Sequence, residues 1–311
     1  MKSELTLSIR QILKFIIIFL IVDFLFGSIS KKIFYEQKTG KFYRSTYAIK
    51  EAKEDILIFG SSHAHRHYVP EVMEKELLKT CYNVGAEGQQ LLFHAAFQKM
   101  ILKRRVPELI VLNIDENFLY KSNAAYNRLS DLHPYYSEFK NELRSFLSLN
   151  SSFMDFKLFF KSYQTNSTLI HAIRYYISPQ IDYKGYRPLD GVMTLNKVAF
   201  YEKDNSEKEY IQEIDPVFVA AFKDFILTAK KNNIKLVFVT SPNLIERSIS
   251  ENESFKMIKV ISKLEKIPFF DFLNSPAYIN QYDLFHDPSH LNDNGARIFT
   301  KSVAELINVI D

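Results

Sequence analysis

Four short runs of apolar residues restrict the fold more than any other feature of this 311-residue chain: "DILIFG" (55–60), "LIVLNI" (109–114), "KLVFVT" (235–240) and "IPFFDF" (267–272). They do not alternate apolar with polar, as a strand with one wet face would. Continuous runs of this length read as parallel strands covered on both faces. "CYNVG" (81–85) is a weaker strand candidate. Helical patterns lie between the runs: "QQLLFHAAFQKMILKR" (89–104), "DPVFVAAFKDFILTAKKNN" (215–233) and "DNGARIFTKSVAELINVI" (293–310). The second has Asp215 as N-cap and Pro216 at its first helical position. In the third, Ala296, Phe299, Val303, Leu306 and Ile310 fall on one face. Such alternation predicts an α/β fold with a mostly parallel sheet, and sites in such sheets lie beyond the strand carboxyl ends. Residues 121–214 break the pattern. They are rich in Tyr, Phe, Asn and Ser and read as a mainly helical and irregular insertion capping the site.

The remaining 1–54 divides into a short tail (1–11), an apolar run (12–29) and a polar, Lys/Glu-rich stalk (30–54). "ILKFIIIFLIVDFLFGSI", from Ile12 to Ile29, is just long enough to cross a bilayer as a helix if Lys14 snorkels. Phe15 to Val22 is apolar on every side, and no small-residue cleavage site follows, which argues against a removed signal peptide. Asp23 is the objection, because a carboxylate in lipid costs a few kcal/mol. An amphipathic or buried helix is the other reading. Lys2, Arg10 and Lys14 precede the run; Lys31, Lys32, Lys38, Lys41 and Arg44 follow it. Counted literally, this would retain the large domain in the cytoplasm, although long domains translocate largely regardless of charge.

Composition excludes several classes. Apolar residues make up 47%, enough for a sizeable core. The net charge of +4 is spread over scattered lysines with no nucleic-acid motif, which implies solubility and no nucleic-acid partner. Cys81 is the sole cysteine, so neither an internal disulfide nor a Cys-based zinc site can form.

Two stretches can carry chemistry. In "FGSSHAHRHYVP", Ser62 closes a predicted strand and opens a predicted helix, where a hydroxyl is exposed near backbone N–H groups. A serine N-cap would look the same. In "FHDPSHLNDNGARIF", Asp287 precedes His290 by three residues on one tight loop, able to supply a base and its orienting carboxylate. His63, His65 and His67 raise a metal site. On a helix, however, residues two apart diverge, so three ligands would not converge, and no metal is expected. His63 is expected to line the pocket and Arg66 and His67 its rim, where they would meet an anionic substrate. A solvated helix start is the other reading of His65 and His67. Ser241, after the run 235–240, could form a pocket wall. Tyr175, Tyr176, Tyr183, Tyr186 and Arg187 could stack on sugar rings, although aromatics more often pack against a core.

Taken together, "FGSSH", "YNVGAEGQQ", "LIVLNIDENF" and "DPSH" resemble the four blocks of the SGNH, or GDSL-type, hydrolase superfamily over roughly 55–120 and 230–311. The resemblance implies a three-layer sandwich around a mostly parallel, flavodoxin-like sheet. It implies a Ser62–His290–Asp287 triad and an oxyanion hole from Ser62, Gly88 and an asparagine, for which Asn117 is the best match and Asn113 and Asn83 compete. No cofactor is implied. The Asp of G-D-S is Ser61 here, and the third block lacks its Gly and the Asp after its Asn. The anchor, the G-S-S block and the "HLN…GA" ending resemble cell-envelope members, namely D-alanine transfer proteins and polysaccharide O-acetylation proteins. These imply an extracytoplasmic domain, an acylated glycan or acyl donor as substrate, and a multi-span membrane O-acyltransferase as partner. A non-catalytic protein that keeps the fold and binds a glycan or such a partner is the alternative.

Overall fold

The computed structural model describes residues 2–166, 168–198 and 211–310; part of the expected insertion, 199–210, lies outside them. Along the chain run helices α1 (Lys2–Tyr35) and α2 (Gly40–Lys50), strand β1 (Ile56–Phe59), helices α3 (Ser62–His67) and α4 (Pro70–Leu77), and strand β2 (Cys81–Asn83). Helix α5 (Leu91–Leu102), strands β3 (Leu109–Ile114) and β4 (Tyr120–Lys121), and helices α6 (Asn123–Arg128), α7 (Lys140–Leu147), α8 (Met154–Phe159) and α9 (Leu169–Ile177) follow. The chain closes with β5 (Ile211–Ile214), α10 (Pro216–Lys231), β6 (Lys235–Thr240), α11 (Glu253–Leu264), β7 (Phe269–Asp271) and α12 (Asp293–Ile310).

The chain forms two compact units. One comprises 44–128 and 181–311, the other 1–43 and 129–180. The first holds a five-stranded, wholly parallel sheet in the order β2-β1-β3-β6-β7. All four continuous apolar runs and the weaker "CYNVG" are its strands. Alternate residues feed two helical layers. Ile56, Ile58, Val111, Val237 and Val239 pack with Tyr68, Met73, Phe299 and Val303 of the α3, α4 and α12 side. On the other side Phe59 meets Phe97 of α5 and Phe225 of α10, and Phe238 meets Phe222. Asp215 caps α10, its side chain accepting the Val217 N–H, with Pro216 at the first position. On α12 the buried stripe is Ala296, Phe299, Thr300, Val303, Ala304 and Ile307; Leu306 and Ile310, expected inside, are 38% and 45% exposed. A period of 3.6 carries the stripe to Ile307 rather than to its neighbour.

The second unit corrects the expected stalk and cap. Residues 30–54 are not an extended stalk: α1 runs on to Tyr35, α2 follows, and Phe34 and Phe42 are 0% and 2% exposed. Phe34 packs against Phe42, Tyr35 and Tyr135. Residues 129–180, read as part of a cap, fold as one unit with α1. The paired strands β4 and β5 close the neck of the insertion, Tyr120 opposite Ile214. The stretch Leu7–Tyr35 of α1 is long and apolar enough to cross a membrane.

Candidate active site

At the end of β1, Gly60 turns the chain with φ of +142°. A Cβ there would lie 2.8 Å from Asn113 Cβ and 2.9 Å from Ala64 Cβ, so glycine lets β1, β3 and α3 approach this closely. Ser61 is the N-cap of α3, its side chain accepting the His63 N–H at 3.4 Å. Ser62 is the first residue of the helix, where backbone N–H groups have no intrahelical acceptor. Asn83 ties α3 down from β2. Its Nδ2 donates to the carbonyls of Ala64 (2.7 Å) and Tyr68 (2.9 Å), and its Oδ1 accepts the Gly85 N–H.

The second half of the site is the loop from Phe285 to Leu291, whose ends form a β-bridge. Asp287 Oδ1 accepts the N–H groups of Ser289 (2.9 Å) and His290 (2.8 Å), folding the loop around its own carboxylate. Asp287 Oδ2 lies 2.8 Å from His290 Nδ1, and His290 Nε2 lies 2.9 Å from Ser62 Oγ. Burial alone would raise the Asp287 carboxyl. The His290 hydrogen bond and charge, with the two backbone N–H groups, outweigh it and hold the group well below the usual carboxylate range. His67 seats this loop on α3: its Nε2 accepts the Leu291 N–H at 3.0 Å. Burial, with His63 and His290 alongside, lowers the His67 pKa well below the ordinary value and suits the ring to that acceptor role.

A cavity of about 200 Å³ opens above Ser62 and His290, lined also by Ser61, His63, Gly88, Gln89, Gln90, Asp115, Glu116, Asn117, Arg128 and Ser289. Gly88 adopts φ of +70°, and its carbonyl accepts from Arg128 at 2.5 Å. Of the three candidate asparagines, Asn117 is the one that lines the cavity. Its Oδ1 accepts from Asn252 Nδ2 at 3.1 Å, which leaves its own amide N–H₂ as the end that can meet a ligand. Asn83 is 0% exposed and clamps α3; Asn113, also 0% exposed, accepts from Tyr68 (2.9 Å) and Ser241 (2.7 Å).

Sequence reading missed Asp115. It follows β3 and its Oδ1 lies 2.6 Å from His63 Nδ1. Its signal was its place just past a strand's carboxyl end, two residues before Asn117. The pair shapes the cavity electrostatically. Burial would lower His63, but Asp115 raises it further, so the pKa ends above the ordinary value. Asp115 is lowered against burial by His63 and by the Ser61 hydroxyl.

Several expected roles are not met. His65, Arg66 and His67 are buried, not a solvated helix start or a rim. Arg66 is turned inward to Glu87 and to the carbonyls of Arg187 and Pro188. Ser241 is buried, donating to Asn113 rather than facing a ligand. None of the expected sugar-stacking residues lines the cavity. Tyr175 covers Gly40, Tyr176 donates to the Ile33 carbonyl and Tyr186 donates to Asp293. Tyr183 is half exposed, and Arg187 donates its N–H to the His65 carbonyl.

No protein-family model and no curated protein matches the chain. Solved structures similar to it include a lipolytic protein of the G-D-S-L family from Desulfitobacterium hafniense, at 10% identity and TM-score 0.41 over 81% of this chain and 98% of that one. An acetyl xylan esterase matches at 14% identity and TM-score 0.40, over 82% and 98%. A GDSL-like lipase from Bacteroides thetaiotaomicron matches at 12% identity and TM-score 0.39, over 86% and 98%.

Proposed function

We propose that the chain is a membrane-anchored serine esterase or O-acyltransferase acting on an acylated cell-envelope glycan. The observation that carries the reading is the line of contacts from Ser62 Oγ to His290 Nε2 (2.9 Å) and from His290 Nδ1 to Asp287 Oδ2 (2.8 Å). In this reading His290 takes the Ser62 proton as Oγ attacks the ester carbonyl. Asp287, kept ionised, stabilises the resulting imidazolium. The tetrahedral oxyanion is met by the N–H groups of Ser62 and Gly88 and by the Asn117 amide. Collapse expels the alcohol, which leaves with the proton from His290. Water then releases the acyl group, or a sugar hydroxyl accepts it. The apolar stretch of α1 supplies the anchor, with the larger unit extracytoplasmic, where a multi-span membrane O-acyltransferase could hand on acyl groups.

The test uses the full chain in detergent, with a fluorophosphonate probe and p-nitrophenyl acetate. Wild type is expected to be labelled and to hydrolyse the ester. Ser62→Ala should abolish labelling, and His290→Ala should lower both rates by about 10³-fold or more. Equal labelling of Ser62→Ala overturns the assignment.

A further inference from the structure

A carboxylate inside an apolar helix is costly in lipid unless its lone pairs are occupied. Asp23 is 9% exposed, and its acceptors are taken by one short stretch of chain. It accepts the Lys161 N–H at 2.8 Å, the Ser162 N–H at 3.1 Å and the Ser162 hydroxyl at 2.5 Å. Four residues on, and so on the same face of α1, a Cβ at Gly27 would lie 2.5 Å from the Lys161 carbonyl carbon. Phe19 meets Phe160 edge-on at 5.6 Å. Residues 160–162 are thus packed along α1 between Phe19 and Gly27.

The length of α1 fixes what this means. Ile12 to Ile29 is 18 residues. At about 1.5 Å per residue this is about 27 Å, against a hydrocarbon core about 30 Å thick. The part exposed on every side, Ile12 to Val22, reaches only about 16 Å. A span therefore needs Phe24, Leu25, Phe26 and Ile29 as well, which are exposed residues of the section against which 160–162 is packed. The adjoining α8 region presents apolar side chains outward. Phe153, Phe156 and Phe159 are 69%, 65% and 70% exposed, while Met154 and Leu158 point inward. The Lys161 ammonium lies 4.2 Å over the centre of the Phe24 ring and donates to Ser28 Oγ at 2.8 Å, toward the far end of the apolar stretch, as a snorkelling lysine would.

We propose that the segment 153–162 lies within the bilayer leaflet surrounding the C-terminal part of the α1 apolar stretch. Phe153, Phe156 and Phe159 sit among lipid acyl chains, and Asp23 accepts the non-helical Lys161 and Ser162 N–H groups at that depth. This rests on the reading of α1 as a membrane span. The occupant of the aromatic face is lipid.

The test places one nitroxide at a time on the full chain in vesicles of phosphatidylcholine and phosphatidylglycerol. The variants are Phe156→Cys and Phe153→Cys, with Ile17→Cys and Val309→Cys as lipid and water references. The native Cys81 is buried, and burial raises its thiol pKa, so it stays unlabelled. Collision with oxygen and with a nickel chelate is read by power saturation. The expected result is that positions 153 and 156 share the sign of position 17, with oxygen access exceeding nickel access. Values matching position 309 overturn the proposal. So does low access to both reagents, which a second copy covering the face would give. If position 17 itself reads as water, the anchor reading fails and the proposal falls with it; if position 17 reads as lipid and 156 as water, the proposal alone fails.

Discussion

His63 follows Ser62 directly, and the residue that sets its charge is 52 positions away. The register explains the meeting. Phe59 of β1 is opposite Leu112 of β3, so the chain three residues on brings Ser62 and Asp115 to the same end of the sheet. Beyond Asp115, His63 faces the charges of Glu116 and Arg247, with His67 on its own helix and His290 on the facing loop; His94 of α5 acts on Asp115. A raised histidine and a lowered aspartate stabilise the fold in a bounded window. The His63 share is full below its unfolded value near 6.5 and fades as pH rises through its higher folded value. The Asp115 share is full above its unfolded value near 3.8 and fades as pH falls through its lower folded value. Asp115→Asn should therefore cost most stability near pH 5 and progressively less toward pH 9, as urea denaturation across that range would measure. A constant difference at every pH would contradict the pairing. None of this was legible in the sequence, where His63 could be placed beside Ser62 by adjacency but its partner required the strand pairing. Ser62, Asp287 and His290 could be picked out because each stands on a locally readable turn, at the end of an apolar run or just before the last helical pattern.

At the scale of elements, the strands were legible because burial on both faces leaves a continuous apolar run that needs no partner to be recognised. Short or half-exposed elements were not, since their sequences match several structures equally well. The stalk shows this. "KKIFYEQKTGKFYRS" reads as polar by count, yet two of its four aromatics, Phe34 and Phe42, are buried. The junction of β1 with α3 was legible as a turn, but its tightness was not. A methyl group at Gly60 would strain a φ of +142° and press on Asn113 and Ala64 together. Gly60→Ala is expected to destabilise the protein by about 1–3 kcal/mol. On the proposed esterase reading it should also lower ester turnover of the still-folded protein, because relief by moving α3 carries Ser62 with it. Denaturant midpoints and active-site-titrated turnover measure the two effects separately. His67→Phe acts at the other junction. It removes the acceptor of the Leu291 N–H and leaves a buried donor unpaired, at a cost of about 1–3 kcal/mol. Its turnover should fall while Ser62 stays in place.

For the whole molecule, Asp23 changes meaning most. In sequence it counted against a membrane helix. In the fold it is the reason α1 and residues 160–162 belong to one unit, because a buried carboxylate must find donors and the turn after α8 offers three. A boundary at residue 30, natural from hydropathy, would cut through that unit. A fragment of residues 30–311 keeps Phe34 and Phe42 but loses Asp23 and Gly27, so Lys161 and Ser162 lose the acceptor of their amides. The larger unit has its own sheet and its own core. Hydrogen exchange on the fragment should therefore show β3 and β6 protected as in the full chain, while the amides of Lys161 and Ser162 exchange faster by the loss of their hydrogen bonds to Asp23. The freed aromatic face should bind a hydrophobic dye that the full chain in lipid excludes. Unchanged protection at Lys161 and Ser162 would show that the turn holds without Asp23. Loss of protection in β3 would show that the two units unfold as one, and either result would refute this division of the molecule.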